Sequence, residues 1–223
     1  MLFLAALLLT GIAHAQQFDY TVSCDTTGTY QELSAQTLLN SNNSSWAPRY
    51  KIPIGFSFHY LGRNFDSLWI ETNGYLVLDE DRNYAFTAFN SFMDKIDANG
   101  DHAVLGYNLS GDPGSRVLKL QFKKVGQTLS TSEHLSYQVW LKEDSVLEVH
   151  VGPHSYTPGY NAQHAVRIGL INMNMDTETR GYFIGGENPS QPQGQYCTDN
   201  TPTITYLQGI PATHTRYRFT PSN

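Results

Sequence analysis

Apolar and polar residues alternate along much of this chain with a period of two, the signature of strands whose successive side chains leave on opposite faces. The clearest run is Ile52 to Leu78, where Ile52, Ile54, Phe56 and Phe58 alternate, then Leu68 and Ile70, then Tyr75 and Val77. Tyr60-Leu61-Gly62 and Thr72-Asn73-Gly74 separate these runs, and the Asn-Gly pair supplies the positive φ that tight hairpins demand. The stretch is read as strand, short loop, strand, turn, strand. Further strands are expected at Val104 to Leu109, Val117 to Val125, Leu135 to Lys142, Leu147 to Gly152, Ala165 to Asn172, Gly181 to Ile184, Ile204 to Leu207 and Tyr217 to Thr220. Turn signals such as Gly111-Asp112-Pro113-Gly114 and Pro158-Gly159 fill the gaps. Serial strands without intervening helices predict an all-β fold, an antiparallel β-sandwich of jelly-roll-like type with two packed sheets.

Less regular segments lie between. Residues Thr26 to Pro48 are polar, read as loop with one short strand near Tyr30 to Leu33. Phe86, Phe89, Phe92, Met93 and Ile96 recur at spacings of three and four, which predicts a short amphipathic helix or 3₁₀ turns closing one end of the sandwich. One hairpin can be argued in detail. Placing Tyr137, Val139 and Leu141 on the same face as Leu147, Val149 and Val151 requires an odd loop around Glu143-Asp144-Ser145. Gln138, Trp140, Glu148 and His150 then share the other face, a candidate ligand face. There Trp140 either packs under another layer or serves as a sugar-stacking platform.

Residues 1–15 read as a secretory signal peptide, an apolar run from Leu2 to Leu9 leading to the small-residue site Ala13-His14-Ala15. The run is too short to cross a bilayer, and no later segment is apolar and long enough. One domain over residues 16–221 follows, with a short tail at 222–223 and no linker rich in Pro, Ser or Gly dividing it. With 14 Lys+Arg against 20 Asp+Glu, the chain is no nucleic-acid binder by composition. Its two cysteines, Cys24 and Cys197, form an even count in an exported chain, from which a disulfide is expected. Asn42, Asn43 and Asn108 begin N-glycosylation sequons.

Chemistry-bearing patterns are few. Asp97-Ala98-Asn99-Gly100-Asp101 sets oxygen ligands at alternate positions, like the first half of a Ca²⁺-binding loop. His102 replaces the expected glycine and Asn108 the bidentate carboxylate, so Asp97, Asn99 and Asp101 form a weak Ca²⁺ candidate and no other cofactor is expected. There is no G-x-S-x-G elbow and no H-E-x-x-H helix, and Asp79, Glu80 and Asp81 are consecutive instead of alternating on one face. His150 and His154 lack a third ligand at metal-binding spacing.

Two resemblances add to this reading. Pro53, Gly55-Phe56-Ser57-Phe58-His59-Tyr60-Leu61-Gly62 and Ile70-Glu71-Thr72-Asn73-Gly74-Tyr75-Leu76 resemble a motif of nidogen-like domains and bacterial surface proteins. Gly114-Ser115-Arg116-Val117-Leu118-Lys119-Leu120-Gln121-Phe122, Tyr137-Gln138-Val139-Trp140-Leu141-Lys142-Glu143 and Leu147-Glu148-Val149-His150-Val151-Gly152-Pro153 are similar to a domain common in cargo of the bacterial type IX secretion system. Tyr137 stands there for the usual Phe, and Lys142 for Tyr. The resemblance implies a secreted or cell-surface β-sandwich and carries no catalytic constellation. Three functions fit: a non-catalytic binding or adhesion module for a glycan or surface protein, a stabilising domain of an extracellular assembly, and a hydrolase with loop-borne carboxylates.

Overall fold

The computed structural model describes residues 20–40, 49–71, 74–89, 102–126, 133–155, 166–174, 178–198 and 206–222. They form two antiparallel sheets of seven strands. The first runs β1 (Tyr20–Asp25), β14 (Arg216–Pro221), β10 (Leu147–His154), β9 (Leu135–Lys142), β8 (Val117–Val125), β7 (Val104–Ser110), β2 (Thr37–Leu38). The second runs β13 (Gln193–Thr198), β12 (Glu178–Gly185), β11 (Ile168–Asn174), β6 (Tyr84–Ala88), β5 (Tyr75–Val77), β4 (Arg63–Glu71), β3 (Arg49–Tyr60). Consecutive neighbours make up most of the second sheet and half of the first, where β1, β14 and β2 join by longer connections. The all-β sandwich is the expected fold.

Period-two alternation decides what lies between the sheets. Ile52, Ile54, Phe56, Phe58 and Tyr60 of β3 point inward with Leu68 and Ile70 of β4, and meet Leu118, Leu120, Tyr137, Val139, Tyr217 and Phe219 from the first sheet. Each fully buried Ile, Leu or Phe contributes about 1.5–3 kcal/mol. The organising stretch folds as its alternation predicts, with Tyr60 paired to Arg63 across the two-residue turn Leu61-Gly62. Both turn residues have positive φ, 47° and 82°, the pattern of a type I′ hairpin. Leu61 accepts that backbone because its side chain is buried in the core. At the end of β3 the Tyr60 hydroxyl accepts from the Ile171 N–H at 3.1 Å and donates to the Ala85 carbonyl. A phenol from one strand is thus wedged between two others, at the paired residues Ile171 and Ala85.

Several expectations need correction. Phe86 lies in strand β6, paired with Leu170 and Leu76, and not in a helix; Phe92, Met93 and Ile96 are outside the described residues, among which there is no helix. Tyr30 to Leu33 is not a strand, because its backbone is bonded by the side chains of Gln121 and Gln138 of the first sheet and of His214 ahead of β14 instead of by a neighbouring strand. Strand β13, Gln193–Thr198, is too polar to show an alternating apolar pattern and was not expected. The Cys24–Cys197 disulfide is also absent, and strand parity explains why. Cys24 pairs with Tyr217 and faces the core with it, whereas Cys197 pairs with Gly181 and packs with Val77, Ala85, Ile171 and Phe183 on the outer face of the second sheet. That outer apolar cluster also takes in Trp69, Tyr75 and Tyr206.

Candidate functional site

The β9–β10 hairpin turns as its alternation requires. Leu141 pairs with Leu147, and the Lys142 N–H donates to the Val146 carbonyl at 2.9 Å around Glu143-Asp144-Ser145, with Ser145 at φ 68°. A three-residue loop closed by a left-handed residue keeps the apolar sets together. It therefore delivers Gln138, Trp140, Glu148 and His150 to one outer face, as the sequence indicates.

Register then aligns these residues in two transverse rows. One reads Ser23, Arg218, Glu148, Trp140, Lys119, Asn108 across six strands; the next reads Asp25, Arg216, His150, Gln138, Gln121, Gly106. The Trp140 ring stands between flanking strands, with His150 stacked at 4.0 Å and the Lys119 ammonium 4.3 Å from its centroid. Its indole N–H donates to Gln138 Oε1 at 2.9 Å. Trp140 is half-buried, held between side chains of its own sheet.

Glu148 is fully buried and accepts from Lys142 Nζ at 2.8 Å and Arg218 Nη1 at 2.9 Å, with His150 Nε2 2.9 Å away. Burial pushes its pKa up, but hydrogen bonds and charge from His150 and Lys142 outweigh that and hold it at about 2. At the hairpin end, Arg116 grips Glu143 through Nε at 3.0 Å and through Nη2, while the Gly114 and Arg116 backbone N–H groups bind Glu143 Oε2 at 2.8 and 3.0 Å. The Arg116 fork, first, and these N–H groups draw the Glu143 carboxyl down to about 2. The spaced Gly, Arg, Lys, Gln, Trp and Glu of the sequence motifs thus meet here as partners.

The second row is covered at Gln138, Gln121 and Gly106, while Asp25 and Arg216 at its β1 end stay partly exposed. Residues 26–36 cross the sheet's outer face from the β1 edge to the β2 edge as a strap, which the sequence signalled as polar loop with one short strand. Gln138 Nε2 donates to the Gln31 carbonyl at 2.7 Å and to Gln121 Oε1 at 2.9 Å, and Gln121 Oε1 also accepts from the Leu33 N–H at 2.8 Å. Gln121 Nε2 reaches Gln36 at 3.2 Å, and Lys123 binds Glu32 at 2.6 Å. Two strand glycines make room: a Cβ on Gly152 would stand 2.5 Å from the Tyr30 ring and 2.8 Å from the Ser136 carbonyl, and one on Gly106 would stand 2.4 Å from Gln36 Oε1. Gly152→Ala is expected to drive Tyr30 out, lowering stability by about 1–3 kcal/mol and opening the strap to proteolysis. Limited proteolysis of the native protein with mass spectrometry checks this, and cleavage rates in 26–36 equal to wild type would refute it.

Asp97, Asn99 and Asp101 lie outside the described residues, as do residues 1–15, Asn42 and Asn43; among the described residues no group of three or more acidic, His or Cys side chains could hold a metal. His154 ends β10 opposite Leu135, four residues from His150 and away from Glu148. No curated protein and no solved structure matches the chain. A family model described as NIDO related matches residues 19–221, which includes both sheets, the strap and every residue of the two rows, and the chain therefore belongs to the NIDO-related family.

Proposed function

We propose that this protein is a secreted or cell-surface, non-catalytic module that binds a glycan or a surface partner through the outer face of the first sheet. The observation that carries this is preorganisation: Trp140, Lys142, Glu148, His150 and Arg218 are each fixed by a named neighbour before any ligand arrives. Fixed groups lose little entropy on binding. A general acid or base needs a pKa near the working pH, whereas Glu148 and Glu143 are both held at about 2 by cationic partners. NIDO-related domains are typical of extracellular proteins, and the signal-like residues 1–15 support export. The motif resemblance supports the type IX route. A stabilising role in an extracellular assembly draws instead on the apolar cluster around Phe183 and Trp69 on the opposite outer face.

The test is to apply the purified protein to a panel of neutral and acidic glycans and to intact cells, and to analyse the glycans afterwards by chromatography. Retention with unchanged glycans is expected. Shortened glycans would establish a hydrolase, and no retention on any glycan or cell surface would remove the binding reading.

A further inference from the structure

We infer that the part of this face left open by the strap takes an acidic polysaccharide, a chain carrying one carboxylate on many of its sugars. The inference rests on the binding reading above and names its ligand class. Charge is the first ground. The chain as a whole is acidic, 14 Lys+Arg against 20 Asp+Glu, yet the first sheet's outer face beyond the strap collects Lys119, Lys142, Arg216 and Arg218. Facing them are Glu148, buried beneath Lys142 and Arg218, and Asp25, paired with Arg216 at 2.8 Å. The two carboxylates leave a positive excess, and the side chains of Arg216 and Arg218 are 38% and 36% exposed. His150, the remaining titratable group of these rows, is turned to Glu148 and Trp140.

The second ground is what Trp140 withholds. A neutral sugar stacks its C–H face on an open ring, and here the indole already carries the stacked His150 ring and the Lys119 ammonium. A ligand arriving from solvent meets an ammonium and guanidinium groups ahead of an aromatic face. The third ground is spacing. Arg218 and Lys119 lie in one row three strands apart, which at the usual strand separation is about 14 Å. Cations spread over that length, with Lys142 beside Arg218 on the same Glu148 oxygen, suit a chain that carries a charge on each of several successive sugars. Duplex DNA presents a charge about every 1.7 Å along its axis and draws its affinity from dense phosphate neutralisation, which an acidic protein opposes.

The experiment measures binding of the full chain to polygalacturonate, to neutral dextran and to duplex DNA by calorimetry, at low and at raised salt. Polygalacturonate is expected to bind, to weaken several-fold as salt rises, and to lose about tenfold in affinity in Lys119→Gln and again in Arg216→Gln. Lys51→Gln, on the second sheet's outer face, removes the same charge elsewhere and is expected to leave affinity unchanged. No binding of polygalacturonate, or an equal loss in Lys51→Gln, would overturn the inference. So would DNA binding lost in the same two variants. Dextran binding without polygalacturonate binding would overturn it while leaving the broader binding reading in place. Retained far-UV β-signal and thermal midpoint in the two variants separate lost contacts from lost fold.

Discussion

Tyr60→Phe should lower stability by about 2–4 kcal/mol, although it removes one oxygen atom from a core of some forty buried apolar residues. The hydroxyl is the acceptor for the Ile171 N–H and the donor to the Ala85 carbonyl, both inside the sandwich where water cannot replace it. Each backbone group left unpaired in such a place costs about 1–3 kcal/mol. Tyr137→Phe provides the contrast. Tyr137 is as deeply buried, stacked on Phe122 at 4.5 Å, but its hydroxyl has no hydrogen-bond partner. Removing an unsatisfied buried polar atom should be neutral or stabilising by up to about 1–2 kcal/mol. Phe at this position is also what the related motif carries. Urea unfolding of the two variants, with midpoints read at unchanged m-value, decides the matter. A loss below about 0.5 kcal/mol for Tyr60→Phe would mean that β6 and β11 close on each other without the phenol.

How much of this could be read from the chain differs by element, and the reason is physical. Strands β8 and β9 were legible to the residue because one face of each is core and the other polar, so period two holds along β9 and along β8 as far as Phe122, where a bulge shifts the register. Strand β6 was not, since YAFTA is buried on both faces, inward by Tyr84 and Phe86 and outward by Ala85 and Thr87, and a short run buried on both sides loses its alternation. The face holding Gln138, Trp140, Glu148 and His150 followed from hairpin parity alone. What covers half of it did not, because the strap makes no ladder and pairs through glutamine side chains and glycine notches that have no period. The cysteines show the converse error. An even count in an exported chain argues for a bridge, but a one-residue difference in parity sends Cys24 inward and Cys197 outward, and composition does not encode that.

Acid should weaken this protein through Glu148 more than through any other carboxylate of the face. Its folded pKa is about 2 against an ordinary value of 4.5, so the native state binds fewer protons than the unfolded chain between these limits. The stabilisation is therefore complete above about pH 5, falls as pH drops through the unfolded value, and is gone once pH reaches the folded one; the shift corresponds to roughly 3 kcal/mol. Glu148→Gln isolates it. The amide keeps the shape but offers Lys142, His150 and Arg218 only a neutral oxygen, so at pH 7 the variant should be less stable by about 2–4 kcal/mol. The gap between wild type and variant should then narrow as pH falls from 5 to 2, because a protonated Glu148 and the amide that replaces it are alike in charge. Glu143 titrates over the same range, but it does so in both proteins and cancels in the difference. Denaturant midpoints across that pH range give the curve. Parallel profiles for wild type and Glu148→Gln would show that its hydrogen-bond partners do not hold this carboxylate down, and would take with them the preset charge array on which the proposed ligand face depends.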